Sequence, residues 1–142
     1  MYRGGRHGDA DFGIGGGLMG QTLAIAVGGA LGALFRFWVS SGLHSLLGRD
    51  FPYGTLAVNV LGSLSIGAAS VLFLERLAVA PEVRMLVLVG MLGAFTTFST
   101  FSLETINLLQ SGRLFTAGAN VVLNVMLCVT ATWLGLMLAR QL

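Results

Sequence analysis

"GAFTTFSTF", residues 93–101, interrupts an apolar run with four hydroxyl side chains, Thr96, Thr97, Ser99 and Thr100, set beside Phe98 and Phe101. The chain around it has 142 residues, 55% of them hydrophobic and only 10% charged, far below the usual charged quarter of a soluble domain. Uncharged runs occupy residues 14–35, 51–74, 85–103 and 114–139. Each meets the roughly 20 residues needed to cross a bilayer core of about 30 Å. None shows the period-2 alternation of a barrel strand, so backbone satisfaction in lipid makes them helices. The expected fold is an all-α membrane protein with four transmembrane helices near residues 21–43, 54–74, 82–109 and 114–138. No length remains for a soluble catalytic domain. In the third helix, Gly90 and Gly93 precede hydroxyl residues that compete for backbone hydrogen bonds, which makes this segment the best candidate for a broken helix. A break would free carbonyls for a cation and expose a helix N-terminus whose dipole favours an anion. The same hydroxyls could instead back-bond within a continuous helix, and the residues alone leave both readings open.

Residues 1–18 read as a flexible, Gly-rich N-terminal tail, and residues 19–142 as the four-helix transmembrane domain. The tail's "GIGGG" follows no strand and lacks the Lys-Ser/Thr of a phosphate loop. Met19 stands just before the first helix, so the tail is expected to be dispensable or to precede the true start. The first apolar run is too long for the core of a cleavable signal peptide. Pro52 with Gly54, Pro81 with Glu82, and Gly112 punctuate the helices. The single cysteine, Cys128, excludes an internal disulfide and a Cys-based metal site, and reads as packing or pore lining. All eight basic residues are arginines, and a net charge of +2 is too small and scattered for a nucleic-acid partner. Arg3, Arg6, Arg76, Arg84 and Arg140 share one side of the expected topology, against Arg49 and Arg113 on the other. Without the tail that bias shrinks to three against two, weak enough to permit insertion in both orientations.

Charge near a bilayer centre costs on the order of 3 kcal/mol, so polar residues inside the runs stand out. Arg36 lies about 14 residues into the first helix, roughly 20 Å along it at about 1.5 Å per residue. It can either snorkel to the far interface or attract anions to a vestibule. Thr55, Asn59, Ser63 and Gly67 recur every fourth residue on the second helix, as do Asn120, Asn124 and Cys128 on the fourth. Such stripes serve either as interhelical glue or, facing one another, as the walls of a narrow wet path. Gly28 and Gly32 form a GxxxG suited to close packing, and Glu104 and Asn107 follow the hydroxyl cluster.

Three stretches carry a resemblance: "GGALGALFR" (28–36), "YGTLAVNVLGS" (53–63) and "GMLGAFTTFSTFSLET" (90–105). Together they resemble the CrcB/Fluc fluoride-channel family, and TTFSTF combined with an upstream GTLxxN is a specific signature. The resemblance implies an antiparallel, dual-topology homodimer in the cell's inner membrane, with two fluoride pores between the subunits. It implies that Asn59 donates to fluoride, that Phe98 and Phe101 offer ring edges, and that Arg36 guards the vestibule. Thr55, Thr97, Thr100, Glu104, Asn120 and Asn124 would belong to the same path. Backbone carbonyls of Gly93 and Thr96 from both subunits would hold a structural sodium ion that is not transported. The fourth helix departs from the pattern, for Asn120 and Asn124 stand where Tyr and Ser are expected and Cys128 where Ser is expected. Its track stays polar with altered coordination chemistry. The protective function implied is passive efflux of fluoride that entered the cell as HF.

The main alternative is a small-multidrug-type proton-coupled exporter, also a short four-helix protein, but that chemistry needs a carboxylate early in the first helix. None is present there, and Glu104 is the only carboxylate well inside a span. A non-transporting assembly subunit would explain the glycines but not the paired motifs. An enzyme has no support, because there is no nucleophile–base pair and His7 and His44 are isolated in sequence.

Overall fold

The computed structural model describes residues 14–142, with side chains from Gly17 onward. The expected tail therefore lies, over residues 1–13, outside the described residues. Four spans are long and apolar enough to cross a membrane, and among the described residues there is no strand. Helix α1 covers Ile14–Leu47, starting before and ending after the expected 21–43. Helix α2 covers Tyr53–Ser70 and continues as wide π-type turns over Val71–Arg76. The third span, Pro81–Gln110, contains α3 (residues 81–95) and α4 (Phe98–Gln110), with Thr96 and Thr97 in extended backbone between them. Helix α5 covers Leu114–Gln141.

The connections follow from local chemistry. Pro81 opens α3 at a position where its missing N–H has no helical acceptor, and Glu82 sits in the first turn. After α4, Gly112 takes φ +76°, and the N–H groups of Arg113 and Gly112 donate to Leu108 O (2.9 Å) and Leu109 O (3.0 Å). This paired closure needs a left-handed residue, which glycine supplies without strain. Gly48 ends α1 in the same conformation, its N–H donating to His44 O at 3.1 Å.

Packing is organised as two helix pairs that meet at small residues. Helix α1 lies on α3: a Cβ on Gly28 would meet Leu86 O, one on Gly32 would meet Met91 O, and one on Gly90 would come within 2.7 Å of Ile25 O. The GxxxG thus joins helices within the chain. The wide turns of Met85–Leu92 fall where these glycines press on α3. Helix α2 lies on α5 in a reciprocal contact, Gly67 against Thr132 O and Gly135 against Leu64 O. In lipid no hydrophobic force draws helices together, so close backbone approach supplies the attraction. Large apolar side chains, among them Leu23, Trp38, Met126 and Trp133, point outward, the inverse of a water-facing surface.

Gly135→Val therefore places side-chain atoms against the α2 backbone and should lower stability by about 1–3 kcal/mol or abolish the folded state. Gly118, with nothing within 4 Å of an added Cβ, is the control. Gly118→Ala should be neutral or stabilising by up to about 1 kcal/mol. Thermal unfolding in detergent compares the two, and equal losses would show that the glycine contact does not hold α2 to α5.

Candidate functional site

Extended backbone in the middle of a span leaves polar groups that lipid cannot satisfy. Thr96 has φ −80°, ψ 158° and Thr97 has φ −153°, ψ 110°. In a continuous helix the Thr97 N–H would donate to Gly93 O and the Thr100 N–H to Thr96 O. Here the Thr97 N–H donates to Asn59 Oδ1 at 2.8 Å, and Asn59 Nδ2 returns a bond to Thr97 O at 3.2 Å. The carboxamide of α2 thus pairs with both sides of residue 97. The Thr100 N–H donates to Thr97 Oγ1 at 3.2 Å, which makes Thr97 the N-cap of α4. Thr97 is buried, its hydroxyl donating to Thr100 Oγ1 at 2.9 Å. Two carbonyls, Gly93 O and Thr96 O, are left without those helical donors. Gly93 is exposed at the end of α3, and Thr96 Oγ1 donates to Leu92 O at 3.3 Å.

The polar stripe of α5 meets this point. Asn59 Nδ2 also donates to Asn124 Oδ1 at 3.1 Å. Asn124 Nδ2 donates to Asn120 Oδ1 (2.9 Å) and Asn120 O (3.0 Å). Asn120 Nδ2 donates to Thr105 Oγ1 (2.9 Å), whose hydroxyl donates to Phe101 O (2.8 Å). Asn120 and Asn124 are both buried.

A groove of about 360 Å³ opens beside the interruption, lined by Asn59, Ser63, Ile66, Thr96, Thr97, Phe98, Phe101, Asn124, Val125, Cys128 and Val129. The two phenylalanines approach with ring centroids 5.2 Å apart and planes tilted by 54°. Phe101 is buried, whereas Phe98 is 77% exposed and stands out from the chain's surface. A second cavity of about 520 Å³, with a more polar wall, is lined by His44, Arg49, Phe51, Pro52, Glu104, Asn107, Leu108 and Ser111. Thr55 Oγ1 donates to Glu104 Oε1 at 2.9 Å, giving the intramembrane carboxylate a partner, while Oε2 is buried without one.

Of the residues singled out in the sequence, Asn59, Thr96, Thr97, Phe98, Phe101 and Asn124 come together at the first groove, and Glu104 borders the second cavity with Thr55 bonded behind it. Thr100 is exposed one turn along α4, Asn120 lies behind the groove, and half-buried Arg36 lines neither cavity. Sequence reasoning did not assign His44 and Arg49 to a shared cavity, since they flank a turn and share no helical period. Thr105 was also missed, although its i+4 spacing from Phe101 is the pattern of a hydroxyl that back-bonds to a helical carbonyl.

Fold and site define a small multi-pass membrane protein whose third span is interrupted beside a largely apolar groove edged by amide, hydroxyl and aromatic side chains. The CrcB-like protein, Camphor Resistance (CrcB) family matches residues 23–136, and the chain belongs to that family. Among curated proteins it is 60% identical over 122 residues to a fluoride-specific ion channel FluC of Methylococcus capsulatus, covering 86% of this chain and 54% of that one. It is 53% identical to the protein of the same name from Magnetococcus marinus, covering 84% of this chain and 98% of the relative. The corresponding protein of Geobacter sulfurreducens is 48% identical, with 87% and 100% covered. The chain therefore spans about half the length of the first relative and essentially all of the other two.

The cap makes a local prediction. Thr97→Ala removes the acceptor for the Thr100 N–H and should cost about 1 kcal/mol, with faster amide exchange confined to the first turn of α4. Thr97→Ser should retain both stability and protection. Unchanged exchange in the alanine variant would remove the hydroxyl from the capping role.

Proposed function

We propose that the protein is a passive, fluoride-selective channel subunit that lets fluoride leave the cell, protecting it from fluoride toxicity. The observation that carries this reading is the convergence of an amide donor, a capping hydroxyl and two phenylalanine rings on one groove at the interruption of the third span. Fluoride is small and hard, so surrendering its water requires donors at short range and positive ring edges rather than a wide basic pocket. Asn59 spends its two Nδ2 hydrogens on Thr97 O and Asn124 Oδ1. An entering anion competes for the longer of these bonds, the one to Thr97 O. A narrow site that gives back only a few directed contacts disfavours a larger halide. The fixed guanidinium charges of Arg36 and, in the second cavity, of Arg49 raise the local anion concentration.

The strong exposure of Phe98 at the edge of the groove supports a homodimer in which a second copy covers that ring and completes the path, and the weak arginine bias supports an antiparallel arrangement of the two copies. The released carbonyls of Gly93 and Thr96 suit a hard monovalent cation, and the same atoms from two copies would give sodium four oxygen ligands. Sodium bound there would stabilise the dimer without being carried.

Purified protein in liposomes should release fluoride passively and electrogenically, with little chloride flux. Dependence on a proton gradient would instead favour the exporter. Asn59→Asp should abolish most flux, since an ionised carboxylate offers no N–H donor and repels the anion. Phe98→Ile and Phe101→Ile keep most apolar volume but lose the ring quadrupole, so flux should fall far more than thermal stability. Normal conduction in both folded isoleucine variants would reduce the rings to packing.

Orientation is tested separately in a Cys128→Ser background. A cysteine added at either terminus should be labelled by an impermeant reagent from both faces of the membrane. One-sided labelling would eliminate dual insertion.

A further inference from the structure

Resting on the channel reading, the structure also assigns work to two residues that do not touch the groove. We infer that Asn120 and Thr105 are positioning residues, the far links of a one-directional hydrogen-bond relay that holds the Asn59 carboxamide in the orientation the Thr97 N–H requires. Its starting point is a backbone N–H, whose polarity is not adjustable. Because the Thr97 N–H must donate, the atom of Asn59 facing it at 2.8 Å is the oxygen. The nitrogen of Asn59 therefore faces Asn124, 3.1 Å away, and the atom it meets must accept. That turns the Asn124 nitrogen toward Asn120 Oδ1, and the Asn120 nitrogen toward Thr105 Oγ1, each at 2.9 Å. The Thr105 hydroxyl, accepting from Asn120, spends its hydrogen on Phe101 O at 2.8 Å.

Five donors in series thus point the same way, from the interruption through α2 and α5 to the first turns of α4. Amide dipoles aligned head to tail polarise one another, so each bond strengthens the next. Asn120 is fully buried and Asn124 is 5% exposed, so water does not compete for the inner links. Removing Thr105 Oγ1 leaves the Asn120 donor buried and unpaired, with no other protein acceptor bonded to it. Rotating the Asn120 amide is no repair, since it would set an unpaired oxygen at the same gap and a nitrogen against Asn124 Nδ2, so the lost bond instead loosens Asn120, then Asn124 and, through it, Asn59.

The chain has four asparagines, so the full-length protein in lipid nanodiscs, labelled with 15N-asparagine, gives four side-chain amide pairs. In Thr105→Val the resonances of Asn120, Asn124 and Asn59 should all move. Asn59 should move more than Asn107, although Asn107 is only two residues from the substitution. Fluoride flux should fall about tenfold, the equivalent of one buried hydrogen bond, and Thr105→Ser should restore both flux and shifts. An unmoved Asn59 pair in folded Thr105→Val overturns the relay, and a moved pair with unchanged flux overturns its positioning role. If wild-type protein carries no fluoride, the channel reading fails while the amide shifts still decide the relay. Should the valine variant not fold, wild-type side-chain amide exchange decides instead: slow exchange at the three relay asparagines relative to Asn107 supports the relay, and equal rates overturn it.

Discussion

Everything at the centre of this protein depends on how one peptide, that of Thr97, is satisfied where no water is available. An unpaired backbone group in hydrocarbon costs several kcal/mol, so an extended residue inside a span persists only if side chains replace the helix. Asn59 does this from two directions, accepting the Thr97 N–H and donating to the Thr97 carbonyl. The requirement propagates outward. Asn59 reaches Thr97 because α2 lies close to the interruption, with Gly62 at the point where a Cβ would collide with the Thr96 methyl group. Asn124 reaches Asn59 because the reciprocal Gly67 and Gly135 contact holds α5 against α2. The small-residue contacts and the polar contacts are therefore parts of one arrangement: glycines set the distance, and amides use it.

The sequence stripes can be assigned in the same terms. On α2, a single face carries Thr55, Asn59, Ser63 and Gly67, and every member points to the interior of the chain. Thr55 bonds Glu104, Asn59 bonds Thr97 and Asn124, Ser63 borders the groove, and Gly67 meets α5. Residues of this stripe that join the helices also border the cavity. The GxxxG of α1 is different. Gly28 and Gly32 pack on α3 and place nothing polar beside the groove.

Hydropathy made the four spans legible, because a run of twenty uncharged residues has few alternatives to a transmembrane helix. The positions of Pro81 and Gly112 marked helix ends through constraints that act within one turn. The four-residue spacing of the asparagines on α5 announced a shared face. What that spacing could not convey was direction: whether Asn120 and Asn124 turn toward an ion or toward each other depends on α2 and α4, brought near only by tertiary packing. Thr105 was hidden for that reason, and so was the meeting of His44 with Arg49 and Glu104, which lie on separate elements. The start of α1 at Ile14 was obscured by a glycine-rich composition that in water would mark a loop.

The polarity of the relay bears directly on the sign of charge at the groove. A carboxamide is ambivalent, with an oxygen that repels an anion and a nitrogen whose hydrogens attract it, and in a symmetric setting it could present either. The Thr97 N–H removes that freedom by binding the Asn59 oxygen. The electronegative end of the amide is then fixed on the Thr97 N–H, and the donor end, its hydrogens on Thr97 O and Asn124 Oδ1, borders the groove. The same backbone extension that releases the carbonyls of Gly93 and Thr96 thus orients the nearest side-chain dipole the other way. Released acceptors and an oriented donor arise a few residues apart, from one departure from helical geometry and without a formal charge on either.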